Sequence, residues 1–170
     1  MIARPLLDPA VKERLVRVAD WAAEGGEAVI ITLGLGSCVA CVLYDAVAKV
    51  GGMVHILLPS QTLARDRANL AKFAETAVPL LVKEMLALGA VSDRLRARLV
   101  GGAAMFANLG SPGVALMGER NVQATKDALK VARIPVIAED TGLGYGRSVY
   151  LHLPRGRLEV RSVQHGIREL

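Results

Sequence analysis

Apolar residues near the start of the chain fall at Val11, Leu15, Val18 and Trp21 or Ala22, the spacing of one helix face. That pattern predicts a helix over Asp8–Glu24, stopped by Gly25-Gly26. The pattern then shortens to strand runs. Ala28–Thr32 leads into the glycine-rich turn Gly34–Ser37, Cys38–Tyr44 follows, and Gly51-Gly52 opens a third strand, Met53–Leu58, closed by Pro59. A long helix is predicted over Thr62–Leu88, with Ser60 as its cap and Pro79 kinking or dividing it. Beyond it come a strand at Arg96–Val100, a loop over Asn108–Gly118, a helix over Glu119–Ala132 and a strand at Val136–Glu139. A glycine loop, Thr141–Gly146, precedes strands near Arg147–Leu153 and Leu158–Val163. No repeat, linker or low-complexity tract interrupts this order, so one α/β domain over 1–170 is expected, with 1–26 as a helical extension and 28–163 as the core.

Composition adds exclusions. Hydrophobic residues make up 52% of the chain and charged residues 22%, which suits a globular protein and argues against disorder. No apolar run approaches the roughly 18 to 20 residues of a membrane span. Met1–Pro5 lacks the basic segment and apolar core of a secretory signal, so a cytoplasmic location is expected. The net charge of +5 is spread along the chain, and aromatics reach only 4%, a poor match to a nucleic-acid surface. Cys38 and Cys41 are the only cysteines. Four zinc ligands cannot be assembled from them at ligand spacing, and no cofactor is expected. On a strand, residues three apart face opposite sides, so the two thiols should diverge rather than form a redox pair.

Candidate chemistry gathers at Thr32–Cys38 and Gly52–His55. If Cys38–Tyr44 and Met53–Leu58 pair antiparallel through a tight connection at Ala46 and Val47, opposed residue numbers add to about 93 and Cys38 faces His55. Their Cβ atoms would then lie about 4.5–5.5 Å apart, close enough for an imidazole to activate a thiol. A bulge at Gly51-Gly52 or a one-residue slip would undo this. Gly34 and Gly36 allow backbone conformations in which amide N–H groups turn toward a developing oxyanion. Each part also has an inert reading. A lone cysteine on an apolar strand is ordinarily core, a lone histidine is ordinarily structural, and His152 and His165 read as structural or surface. Gly-x-Gly without a following helix is a weak nucleotide signal.

The stretch Thr32–Ala40, with Tyr44-Asp45, Val50–His55 and Leu57–Pro59, resembles the CheD family of chemoreceptor glutamine deamidases. The resemblance continues through Gly101–Ala103, Gly118–Asn121, Glu139–Gly142 and Gly146-Arg147, over roughly residues 28 to 163. It implies Cys38 as nucleophile, His55 as general base and acid, Thr32 as the residue orienting the imidazole, and Gly36 and Ser37 as oxyanion-loop candidates. Val54 stands where many members have Asn, and Thr141 replaces the first glycine of a common pair. The fold implied is an α+β layered α/β/β/α sandwich of mixed β-sheets, similar to the catalytic domain of the cytotoxic necrotizing factor toxins. The activity implied is hydrolysis of receptor glutamine amides to glutamate, with methyl-accepting chemoreceptors as substrate and a chemotaxis phosphatase of the CheC type as a further partner. Two other readings stay open: a regulatory binding module with little catalysis, and an amidase acting on an unrelated protein.

Overall fold

The computed structural model describes residues 10–106 and 112–170, with side chains from 116 onward in the second part. Among the described residues ten strands form two five-stranded sheets stacked face to face. The first sheet has the order β1 (Lys12–Leu15), β3 (Ala28–Leu35), β8 (Arg147–Leu153), β9 (Arg157–Ser162), β10 (Gly166–Glu169). The second has β2 (Trp21–Gly25), β5 (Val50–Ile56), β4 (Val39–Asp45), β6 (Arg96–Gly101), β7 (Val136–Thr141). Each sheet is mixed, because β1 runs parallel to β3 and β6 parallel to β7 while the remaining neighbours are antiparallel. Helix α1 (Ala74–Ala87) and helix α2 (Pro112–Val131) pack on the second sheet, and α2 is the crossover between the parallel strands β6 and β7. Among the described residues no helix covers the outer face of the first sheet.

Alternation builds two cores around β4 and β5. Val39, Cys41, Leu43, Val54 and Ile56 meet α1 and α2, while Ala40, Val42 and Met53 meet Ile30, Val149 and Leu151 of the opposite sheet. Gly51 and Gly52 continue β5 without a bulge. A Cβ at Gly51 would strike Leu153 and Leu151, and one at Gly52 would strike Leu81 and Met85, so the strand lies too close to both layers for larger residues.

The N-terminal helix expected over Asp8–Glu24 is absent from its described part, residues 10–24. That stretch holds β1, a turn with Ala19 at φ 58, and β2. Helical spacing there is a coincidence of two strands serving different sheets: Ala22 points between the sheets, while Trp21 and Ala23 pack toward the helices. The long helix expected over Thr62–Leu88 is also shorter. Two 3₁₀ turns, Gln61–Leu63 capped by Ser60 and Leu70–Lys72 capped by Asn69, precede α1, which continues through Pro79. Asp66 accepts from Ala68 N and Asn69 from Ala71 N, local turns that compete with helix. The loop expected at Asn108–Gly118 is helical from Pro112, a residue suited to a first helical position; its earlier part lies outside the described residues. β10 is a strand that periodicity missed, its four residues all exposed.

Candidate active site

Thr32 and His55 meet where the two sheets face each other. β3 turns Ala28 and Ile30 into the space between the sheets, and alternation brings Thr32 there as well. Past Thr32 the pairing with β8 shifts, so that Leu33 and Gly34 together oppose Ser148. This β-bulge, with Gly34 at φ +68, sends Leu35 inward too, although it follows Thr32 by three positions. The Gly34 N–H is spent on Ser148 Oγ at 3.3 Å, so the expected contribution of that amide to an oxyanion site is not made.

On β5, His55 lies on the same face as Met53 and is buried. Its backbone N–H donates to Asp20 O and its carbonyl accepts from Ala19 N, so the turn between β1 and β2 braces it. His55 Nδ1 is 2.7 Å from Thr32 Oγ1, and the Thr32 hydroxyl in turn reaches Val16 O at 2.7 Å. A hydroxyl has one hydrogen. With that hydrogen given to the carbonyl, Nδ1 must donate to Thr32 Oγ1, and Nε2 is left with its lone pair. Nε2 is buried and has no hydrogen-bond partner. The N-terminal segment, which carries no chemistry in its sequence, thus sets the histidine tautomer through the Val16 carbonyl.

Cys38 lies one residue before β4, half-buried, on the side between the sheets. The register differs from the expected one: His55 opposes Ala40, and opposed numbers add to 95, as in Val39 with Ile56. The connection is longer than expected, running from Asp45 to Val50, because the Asp45 carboxylate accepts from Val47 N and Ala48 N and Lys49 adopts φ 56. The offset is two, and an even offset preserves the face. The thiol and the imidazole therefore share the inter-sheet side without a hydrogen bond between them. Cys41 points the opposite way, into the core under the helices, as strand alternation predicts.

Electrostatics describe a neutral pair at rest. Burial pushes the Cys38 thiol above its ordinary value, and the residue's own backbone N–H beside the sulfur pulls back only in part. Burial lowers His55 to about 4, so the imidazole is uncharged at neutral pH. Cys41, fully enclosed, is pushed up to about 12 by burial alone. Among the described residues no three His, Cys, Asp or Glu side chains gather as metal ligands.

The turn before Cys38 is held by its carbonyls. Gly36 O accepts from Ala103 N at 2.8 Å, Cys38 O from Gly102 N at 2.8 Å, and Ser37 O from Asn121 Nδ2 at 3.0 Å. A side chain on Gly101, which sits at φ 114, would collide with the Cys38 carbonyl, so glycine is required for this approach. A second brace comes from Arg147, whose buried guanidinium donates to Asp140 Oδ1 at 3.1 Å and to Gly142 O at 2.8 Å. Gly142 N in turn donates to Gly101 O at 2.9 Å, so the loop after β7 supports the strand end beneath the turn.

A family model described as CheD chemotactic sensory transduction matches residues 57–162. The chain belongs to the CheD family. A "Probable chemoreceptor glutamine deamidase CheD" of Caldanaerobacter subterraneus is 44% identical over 160 residues, covering 93% of this chain and 99% of that protein. Proteins of the same name from Pyrococcus abyssi and Pyrococcus horikoshii are 48% and 46% identical, each covering more than nine-tenths of this chain.

Seen as a CheD protein, the chain brings Thr32 and His55 into contact, sets Cys38 on their side, and ties down the carbonyls of Gly36 and Ser37. Asn121, Val16, Ser148 and the Asp140–Arg147 pair had no role in the sequence reading, although Gly118–Asn121, Glu139–Gly142 and Gly146-Arg147 are part of the resemblance. Their signal is a tertiary one. Backbone carbonyls as partners leave no mark in side-chain spacing.

Proposed function

We propose that this protein is a chemoreceptor glutamine deamidase, with Cys38 as nucleophile, His55 as general base and acid, and Thr32 orienting the imidazole. The observation that carries the reading is the buried, unpartnered Nε2 of His55, made a proton acceptor by the Thr32–Val16 chain and set on the side where Cys38 lies. The relatives' names, chemoreceptor glutamine deamidase, support a chemoreceptor glutamine as the substrate; a methyl-accepting receptor met in the cytoplasm is the form proposed.

Because thiol and imidazole rest neutral, attack and proton transfer are coupled. Sulfur bonds to the carboxamide carbon as the thiol proton passes to His55 Nε2, and the carbonyl electron pair moves to oxygen. Collapse expels ammonia, which takes the proton from His55, and leaves a thioester. Water then attacks, its proton received by Nε2 and returned to sulfur, and glutamate is released. The Ser37 and Cys38 amides are the donors proposed for the oxyanion. Met105, whose sulfur lies against Gly36 of the turn, is exposed, as are Leu33, Phe106 and Leu143, and such apolar exposure suits a protein surface, receptor or CheC-type phosphatase, rather than a free amino acid.

The test is ammonia release from a purified receptor cytoplasmic fragment, with peptide mass spectrometry to find glutamine turned into glutamate. Conversion by wild type and none by Cys38→Ala is the expected result. Conversion by both would remove Cys38 from the mechanism, and conversion by neither would favour the binding-module reading.

A further inference from the structure

Asn121 projects from α2 with its side chain fully buried, and both hydrogens of its amide nitrogen are used: one on Ser37 O and one on Leu57 O, each at 3.0 Å. The first acceptor belongs to the peptide that joins Ser37 to Cys38, and the second lies two residues beyond His55. One nitrogen therefore spans the loop of the nucleophile and the strand of the base. The helix comes close enough for this because Gly118, one turn earlier, packs against the Gly102 and Ala103 carbonyls, where a Cβ would collide. The amide oxygen Oδ1 is buried with no partner, a standing cost. The side chain is there for its two N–H groups.

A trans peptide is planar, so its C=O and N–H point in opposite directions. Holding Ser37 O toward α2 turns the Cys38 N–H away from the helix, and the bond from Ala103 to Gly36 O turns the Ser37 N–H in the same manner. Among the described residues neither N–H donates to a protein oxygen. The Ser37 N–H is thus uncommitted to protein oxygen, and the Cys38 N–H meets only its own sulfur, the atom at which an acylating carbonyl would arrive.

We infer that Asn121 is a positioning residue, which fixes the Ser37–Cys38 peptide so that the Cys38 N–H faces the oxyanion formed when Cys38 is acylated. The inference rests on Cys38 being the nucleophile, though not on the identity of the acyl donor. It separates two reactions of one thiol. Acetylation by p-nitrophenyl acetate forms an S–C bond at a carbonyl carbon, passes through an oxyanion and expels p-nitrophenol. Alkylation by iodoacetamide displaces iodide at a saturated carbon and forms no oxyanion.

The experiment follows both adducts at Cys38 by peptide mass spectrometry in wild type, Asn121→Ala and Asn121→Asp. Acetylation in the variants should slow about 10- to 100-fold, the range for losing or misplacing an oxyanion donor, with alkylation changed less than about twofold. Equal slowing of both reactions, or of neither, overturns the inference. Cys41 serves as an internal control, because its alkylation signals an opened fold. If both variants label Cys41, Asn121→Ser, which keeps one donor, takes their place under the same criterion. Release of p-nitrophenol by Cys38→Ala at the wild-type rate would instead sink the nucleophile assignment, and this inference with it.

Discussion

β4 has one side against the helices and the other against the opposing sheet, and the two thiols of the chain are divided between them. Cys41 sits under α1 and α2 in a cluster of aliphatic side chains, and burial alone governs it. Cys38 sits where the strand begins, half open, with a backbone N–H at its sulfur and a buried imidazole on its side. Residue type is the same and sequence distance is three. What differs is the phase of the strand and its end, where backbone amides stop being consumed by neighbours and become available to a ligand. Reactivity here belongs to the place rather than to the thiol.

The largest effect should come from exchanging the two sites' roles by truncation. Cys38→Ala should lower deamidation at least about a thousandfold with the melting temperature nearly unchanged. Cys41→Ala should keep activity within about twofold while losing about 1 kcal/mol of stability from the small void it leaves. Inactivity of both would break the comparison. Thr32→Val, which keeps the shape and removes the hydroxyl, should cost about tenfold or more in kcat, since Nδ1 and the Val16 carbonyl lose their link and the tautomer is no longer set. An unchanged rate would free His55 from Thr32. Labelling by iodoacetamide against pH should show Cys38 reacting faster as pH rises beyond 9, with Cys41 silent in the folded protein. A Cys38 rate already at its plateau near pH 6 would mean a preformed thiolate–imidazolium pair.

A smaller effect concerns stability. The folded-state value of His55, about 4, lies below the ordinary 6.5. Between these values the unfolded chain binds a proton that the folded chain refuses, so stability should fall as pH drops from about 6.5 toward 4. Urea melts at several pH values, compared with His55→Gln, read this directly. A slope that is the same in both proteins would show that His55 is not the group responsible.

Much of the candidate site was legible because its residues lie in short runs with strong local punctuation. β8 has the bounds that its alternation predicts, and the glycines around Cys38 announced a special backbone. The family resemblance supplied Thr32, which spacing alone does not connect to His55. Errors arose where tertiary pairing overrode local pattern. Residues 10 to 25 look helical because two strands donate to different sheets, and the hairpin register was misjudged because the Asp45 carboxylate holds a longer connection than Ala46-Val47 suggested. Asn121 was invisible as a functional residue, since its partners are main-chain oxygens on other elements.

The pairing of β3 with β8 carries a consequence for the order of events in the cell. Thr32 lies on a strand whose second neighbour in the sheet, Arg147–Leu153, is made more than a hundred residues later. At about 5–20 residues per second that is a delay of several seconds or more. Until Arg147–Leu153 arrives, the hydroxyl that faces His55 sits on a strand with one edge unpaired, so the Thr32–His55 contact waits on a distant stretch of chain.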